Sequence, residues 1–508
     1  MAAATSFRSG AMLAFAASVL LLLIAKPVSA HTGFESSDPA DRTEVTDPVE
    51  TIILVFTGEA EPTGEGFLVL DANGTQREPT ERSTDDGKTW FLQFDPALGP
   101  GMIGVRWTVV APDAHPIEGS FSFTVTAAPN GVSDASVAEP AVSATGGLPA
   151  TTNEGLEEFL APSSSPSGPG RVAAVARFLA LAGTVTAIGG LVFAATALRG
   201  ERSEVLRILH WVRRSALLVG IGALGELVSQ VVIAGGGDWG SAVSYGALRD
   251  TVGSDFGIAV GLRLLGAGLI VTGVRFDIVS ASEAPDPPLA FRSMLRAGAA
   301  AAIGRPPGEA GPEPQYAAPA GREEVTWAVT SNSFGAVVGA AAVVVAHSFD
   351  GHSVTEGSRL STAVADVIHV AAGAVWAGGV VMLAAVLTDR RRRGRDLDAL
   401  ALAVRFSVVA SVAVVAAGVA GVALTVTVLD APSQLWSSDW GRTLMAKTIL
   451  VLIAGCFGAY NHRVVIPALE ATPHDLALAR HFRSTVTAEA VVLAVVVAAA
   501  AVLMGAAT

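Results

Sequence analysis

The sequence predicts an exported, immunoglobulin-like β-sandwich followed by an all-α polytopic membrane domain of eight transmembrane helices. Three observations predict it: a leader-like first thirty residues, a set of short alternating β-type runs up to residue 126, and eight long apolar segments after residue 171. The composition agrees. Of 508 residues, 51% are hydrophobic and only 16% charged, and the mean hydropathy is +0.51. Such a chain is too apolar for a soluble multidomain protein. The formal net charge of -13 disfavours a nucleic-acid partner, which requires a basic stripe. The single cysteine, Cys456, lies in an apolar run, so neither a disulfide framework nor a thiolate metal cluster is available.

Residues 1–30 read as a signal peptide. Arg8 supplies the basic start, Ala11 to Ile24 the apolar core, and Val28-Ser29-Ala30 the small-residue cleavage site. Cleavage after Ala30 makes His31 the first residue of the mature chain. Over 31–126, runs such as Thr51 to Phe56, Gly66 to Leu70, Trp90 to Phe94, Val105 to Val110 and Ser120 to Val125 are separated by turns at Asn73-Gly74 and Asp86-Gly87, the pattern of a sandwich of about a hundred residues. Residues 127–170 are rich in Pro, Ser, Ala and Gly without sustained periodicity, which reads as a flexible tether with a reach of roughly 35–40 Å.

In the membrane domain, 171–508, the eight predicted spans lie near 172–198, 211–234, 256–274, 326–347, 362–388, 403–428, 442–460 and 486–506. An exported N-terminal domain puts the loops at 199–210, 275–325, 389–402 and 461–485 inside the cell. These loops hold the arginines, Arg390 to Arg393 and Arg395 among them, whereas the outer loops hold mostly Asp and Glu. Leader and positive-inside rule therefore give one topology: a multi-pass cell-membrane protein with its N-terminal domain outside.

Asp113 and His115 sit in the turn before the last predicted strand, and Asp-x-His can converge on one metal. With an N-terminal His31, whose α-amine and ring can bind together, the set of two imidazoles, an amine and a carboxylate suits tetragonal Cu(II). Inside the spans, ionisable residues are costly and therefore functional candidates. Asp366 and His369 share a face of the fifth span, His347 ends the fourth, and His352 follows it. Lys447 and Glu489, in the seventh and eighth spans, are candidates for a structural ion pair. Arg177 and Arg263 read as snorkelling anchors, and Met382 and Met445 as packing.

The N-terminal domain resembles the CopC family of exported copper-binding β-sandwiches. His31, Ser37-Asp38-Pro39-Ala40, the strand Val49 to Phe56, and Asp113-Ala-His115-Pro-Ile-Glu-Gly119 carry the resemblance. It implies that His31, Asp113 and His115 bind Cu(II). Ala114 replaces the family's usual Gly, and with only Met102 in the domain a thioether Cu(I) site is not expected. The helical half resembles the CopD family of copper-resistance membrane proteins: His347, then Asp366-x-x-His369, Trp376-x-Gly378-Gly379, Trp440-Gly441-Arg442, Lys447 and Asn461-His462-Arg463. A chain with both halves resembles the fused copper-uptake family of the YcnJ type.

The reading that follows is copper binding outside the membrane and transfer to or across the helices, with His347, Asp366 and His369 as the membrane path. Copper and the lipid bilayer are the expected partners. The sequence contains no GxxxxGK[ST] loop and no DKTG motif, so ATP does not drive it. The chain reads as no enzyme. Two alternatives stand: a copper- or haem-dependent redox enzyme, and a membrane-tethered copper sponge or sensor. The loop from Ser280 to Arg322 reads as an insertion without an assigned role.

Overall fold

The computed structural model describes residues 33–84, 86–110, 116–126, 153–160, 168–235, 239–274, 278–280, 324–349, 359–428, 432–437, 439–472 and 474–506. They form two compact units, one built on the sandwich and one helical.

Nine strands build the sandwich: β1 (Phe34–Asp38), β2 (Glu44–Val45), β3 (Val49–Phe56), β4 (Glu61–Leu70), β5 (Gln76–Arg77), β6 (Glu81–Thr84), β7 (Thr89–Leu98), β8 (Gly101–Val110) and β9 (Pro116–Val125). One sheet runs β1-β3-β7-β6 and the other β2-β9-β8-β4-β5. Strict alternation drives their packing. Ile52, Leu54 and Phe56 point inward from β3, Trp90, Leu92 and Phe94 from β7, and Ile103, Val105, Trp107 and Val109 from β8, all into one core. Trp90 donates its indole N–H to the Ala60 carbonyl at 2.7 Å, so this large ring is buried without an orphaned donor.

Both sequence-predicted turns form. Gly74 and Gly87 have φ of 78° and 71°, the left-handed region that glycine enters without a Cβ clash. Asp71 Oδ1 accepts from the backbone of Asn73 and Thr75. Asp86 Oδ1 accepts from the backbone of Lys88 and Thr89, and these two N–H groups hold its carboxyl below the usual Asp value.

Gly119 faces the Trp107 indole so closely that an added Cβ would sink into the ring. Gly119→Ala is therefore expected to cost the sandwich about 1–3 kcal/mol through overpacking. Limited proteolysis of the full-length protein checks this: cleavage within 33–126 should accelerate, and an unchanged rate would show that the indole simply moves aside.

Part of the stretch read as a tether is ordered. Helix α1 (Asn153–Leu160) lays Leu156 and Phe159 beside Leu70 of β4. The Arg106 guanidinium stands 5.1 Å from the centroid of the Phe159 ring, and Ser120 Oγ donates to the Leu160 carbonyl at 2.8 Å. Its apolar pair is only three residues apart in a Glu-rich octapeptide, too brief a period to register among the surrounding Pro, Ser and Gly. The remaining residues of the 127–170 stretch up to 152, and 161–167, lie outside the described residues.

The helical unit contains α2 (Gly168–Thr196), α3 (Arg202–Ala234), α4 (Tyr245–Gly253), α5 (Asp255–Gly273), α6 (Phe334–Ala346), α7 (Arg359–Arg392), α8 (Ala399–Val428), α9 (Asp439–Tyr460), α10 (Ile466–Ala471) and α11 (Leu476–Ala506); α4 and the outer end of α3 cluster with the sandwich unit instead. Seven helices among the described residues are long and apolar enough to cross a membrane, against the eight expected. The difference lies in the predicted span 326–347. Its first residues, Thr326 and Trp327, instead belong to strand β11 (Val325–Trp327), paired antiparallel with β10 (Ile278–Ser280). Ser333 Oγ accepts from the Thr330 backbone N–H at 2.8 Å, which starts the helix late. What remains, with the 3-10 turn His347–Phe349, is an apolar stretch over Phe334–Phe349, about 24 Å at 1.5 Å per residue. The β10–β11 pair also brings the two ends of the insertion together; residues 281–323 lie outside the described residues.

Glycines set the closest helix contacts. Gly378 of α7 abuts the Val185 carbonyl and Gly189 of α2, and Gly379 abuts the Phe406 ring of α8. The two glycines of Trp-x-Gly-Gly are thus explained by packing on two different neighbours. At the inner end, Arg390 of α7 is 4% exposed and Glu204 of α3 is 2% exposed. The guanidinium donates to both Glu204 oxygens at 2.8 and 2.9 Å and to the carbonyls of Leu397 and Arg199. Arg263 departs from the snorkelling expectation. It is buried, 1% exposed, and paired at 2.7 Å with Glu226, 4% exposed, because α5 turns it toward α3 and away from the interface.

Candidate metal centre and polar clusters in the helices

His31, Asp113 and His115 lie outside the described residues, but the residues that flank them are described. Immediately after His31 and Thr32, Gly33 is clamped to Thr57: its N–H donates to Thr57 Oγ1 at 2.8 Å, and its carbonyl accepts from the Thr57 backbone at 2.9 Å. Phe34 then stacks at 5.5 Å on Trp107 and at 5.9 Å on Phe121. The Asp113–His115 turn joins β8 to β9, whose last and first residues, Val110 and Pro116, are register partners. Val110 also pairs with Glu61, the first residue of β4. The start of β1, the end of β3, the end of β8 and the start of β9 therefore lie toward one end of the sandwich.

In the helices the candidate residues divide. Asp366 and His369 occupy one face of α7, and the charge of Lys447 on α9 acts on both. His369 Nδ1 lies 2.9 Å from the Ala417 carbonyl of α8. A carbonyl only accepts, so Nδ1 carries the proton and Nε2 keeps its lone pair, the form in which imidazole binds a metal or takes up a proton. His347 is buried and placed otherwise: its Nδ1 donates to Val343, one turn back on its own helix, at 2.9 Å. Among the described residues no three His, Cys, Asp or Glu side chains gather into a metal-ready group. Sequence spacing put His347 at a similar depth to His369; the two lie on different helices, and Ser348, next to His347, donates to the Ala363 carbonyl of α7. His352 lies outside the described residues.

The expected pair of Lys447 with Glu489 does not form. Glu489 on α11 meets Gly458 of α9, with its Oε1 3.4 Å from where a Cβ on that glycine would stand. Gly458 is eleven residues, about 16 Å, along α9 from Lys447. Glu489 is instead held by Trp376, whose indole Nε1 donates to Oε1 at 3.4 Å, and by the Asn461 side chain. Thr485, one turn before Glu489, donates to Asn461 Oδ1 at 2.6 Å. Trp376, Asn461 and Glu489, far apart in sequence, thus meet at one carboxyl. Each was visible as a motif residue or an intramembrane acid, but nothing in their spacing told that they meet.

The comparisons with known proteins agree with both halves. The CopC domain family matches residues 34–126, and the family described as copper resistance protein D matches residues 400–503. Lys447, Asn461 and Glu489 fall inside the second match; His347, Asp366, His369 and Trp376 precede it. The copper transport protein CutJ of Bacillus subtilis (strain 168) is 21% identical over 454 residues, 87% of this chain and 70% of that protein. Copper resistance protein C of Xanthomonas campestris pv. juglandis is 32% identical over 103 residues, 19% of this chain and 80% of that protein. The crystal structure of CopC from Methylosinus trichosporium OB3b covers 20% of this chain and 98% of its own, at 23% identity and a TM-score of 0.17.

Proposed function

The chain belongs to the family that joins a CopC domain to a CopD domain in one multi-pass membrane protein of copper transport and resistance, and from that premise we propose that it captures Cu(II) outside the membrane and passes copper inward through its helices. The CopC domain lies on the extracytoplasmic side. Signal cleavage after Ala30 frees the α-amine of His31, and His31, Asp113 and His115 together hold Cu(II). Asp366 and His369 receive the ion in the outer part of the bundle, with His347 nearby in sequence order but acting from its own helix. The protein turns over no substrate chemically; copper is its cargo.

The observation that carries this reading is His369 on one face of α7 with Asp366, its Nδ1 bonded to the Ala417 carbonyl so that the Nε2 lone pair is available, within the electrostatic reach of Lys447. A bundle serving only as an anchor has no use for three ionisable groups at that depth. The test is cellular copper content at matched protein levels for wild type, His31→Ala with Asp113→Ala, and Asp366→Ala with His369→Ala. Both double variants are expected to hold less copper than wild type. More copper in both would reverse the direction to export. No change in the second variant would leave a tethered copper-binding domain.

A further inference from the structure

Of the buried glutamates among the described residues, Glu204 and Glu226 are paired with arginines, whereas Glu489 is held by neutral groups. It is 4% exposed, in the middle third of α11 (Leu476–Ala506). Among the described residues no Lys, Arg or His stands within ion-pair distance, and no charged group acts on it from α7, α8, α9, α10 or its own helix. Its partners are neutral: the Trp376 indole, 3.4 Å away, the Asn461 amide and the gap provided by Gly458. Trp is an obligate donor. Because Asn461 Oδ1 already accepts from Thr485, the Asn461 NH2 is the end left to donate to the acid. A carboxyl so placed, in an apolar bundle without a cationic side chain, needs a positive counterpart that comes and goes: a proton or a metal cation.

The backbone around it is specialised as well. Asn461–Val465 is a π-helical turn that interrupts the run from α9 into α10, a feature that costs helix regularity and recurs at functional sites. It turns Asn461 toward Thr485 and Glu489, which share one face of α11 at i and i+4. On α7, Asp366, His369, Gly373 and Trp376 follow one another at steps of three, four and three, a single stripe along the helix. A Cβ at Gly373 would meet nothing within 4 Å. The stripe therefore has the outer polar cluster at one end and the indole that holds Glu489 at the other, with no side chain between His369 and Trp376 at the Gly373 position.

We propose that Glu489, positioned by Trp376 and Asn461, is a proton-binding site of the membrane domain, loaded and emptied along the α7 stripe, and that its proton is the ion coupled to copper movement. The O–H bond forms on the Glu489 carboxyl and breaks as the proton leaves; no electron moves. The donor set favours a proton over a metal ion, since an indole and an amide N–H point at the carboxyl where a metal would need lone pairs. The coupling rests on the copper-transfer reading; the proton site itself does not.

The test has two arms on full-length protein. In lipid nanodiscs, infrared difference spectra between acidic and alkaline buffer are expected to show the C=O stretch of a buried carboxylic acid, lost in Glu489→Gln and shifted in Trp376→Phe, which keeps the acid but removes its indole donor. A band unchanged in Glu489→Gln, or absent from wild type at every pH, overturns the proton site. In vesicles containing a pH-sensitive dye, copper supplied as Cu(II), or as Cu(I) with ascorbate, is expected to move protons with wild type, while Glu489→Gln falls to the level of protein-free vesicles. An equal proton signal in the Glu489→Gln variant overturns the coupling. Wild type that moves no copper at all sinks the transfer reading alone, and the infrared arm still decides the proton site.

Discussion

Arg390→Ala is expected to be the most damaging single substitution in the helical unit, costing about 3–5 kcal/mol of stability. The guanidinium satisfies both oxygens of Glu204 and two backbone carbonyls, at Arg199 and Leu397, and so joins α3 and the loop before it to α7 and the loop before α8. Removing it strands a carboxylate that is 2% exposed, and the loss is dominated by that stranded charge. Arg395, 3.4 Å from Glu204, offsets only part, since it also serves Glu201. Arg390→Lys should recover little, because an ammonium cannot bind both carboxylate oxygens and two diverging carbonyls at once. Thermal melts of the purified protein in detergent, followed by helical circular dichroism, read the effect. As a reference, Arg82→Ala breaks an exposed i,i+4 pair with Glu78 in the sandwich and should cost no more than about 0.5 kcal/mol. If Arg390→Ala melts with wild type, the network contributes nothing to holding α3 on α7.

The fold was legible where physics is local. The central strands β3, β4, β7, β8 and β9 announce themselves by alternating apolar residues, and the Asn-Gly and Asp-Gly turns by their need for positive φ. The edge strands were silent, because Phe34–Asp38, Gln76–Arg77 and Glu81–Thr84 are polar and short, and pair only because a neighbour offers its backbone. The long spans follow from hydropathy alone; the fourth was overextended because a window average cannot tell that Val325–Trp327 pairs with Ile278–Ser280.

The polar residues in the bundle show the same boundary. Hydropathy marks Asp366, His369, Lys447 and Glu489 as anomalous, and helical spacing joins Asp366 to His369. Which residue meets which across helices is decided by depth and rotation. Lys447 falls level with Asp366, and Glu489 with Trp376 and Asn461, so the apparent Lys–Glu pair resolves into two separate clusters. For the exported site, spacing and a leader suffice to nominate His31, Asp113 and His115, which lie outside the described residues.

Lys447→Met is expected to tighten copper binding in the membrane domain by about tenfold or more, while slowing copper transfer. Lys447 is the resident cation beside Asp366 and His369. A copper ion arriving there meets a like charge and must share Asp366 with it. Removing the ammonium lifts that opposition, and about 1.4 kcal/mol of relief is tenfold in affinity. The same ammonium helps the ion leave by reclaiming Asp366, so its loss should prolong occupancy. Without copper, Asp366 loses a neutralising charge and the variant should melt lower than wild type; with copper, its melting temperature should rise by more than the wild type's, as tighter binding requires. Chelator competition in nanodiscs isolates the membrane site when His31→Ala and Asp113→Ala are present in every sample, and Lys447→Arg keeps the charge as a control. Lower stability with unchanged copper affinity would make Lys447 a purely structural partner of Asp366. Weaker binding in Lys447→Met than in Lys447→Arg would show that copper does not use the Asp366–His369 face at all.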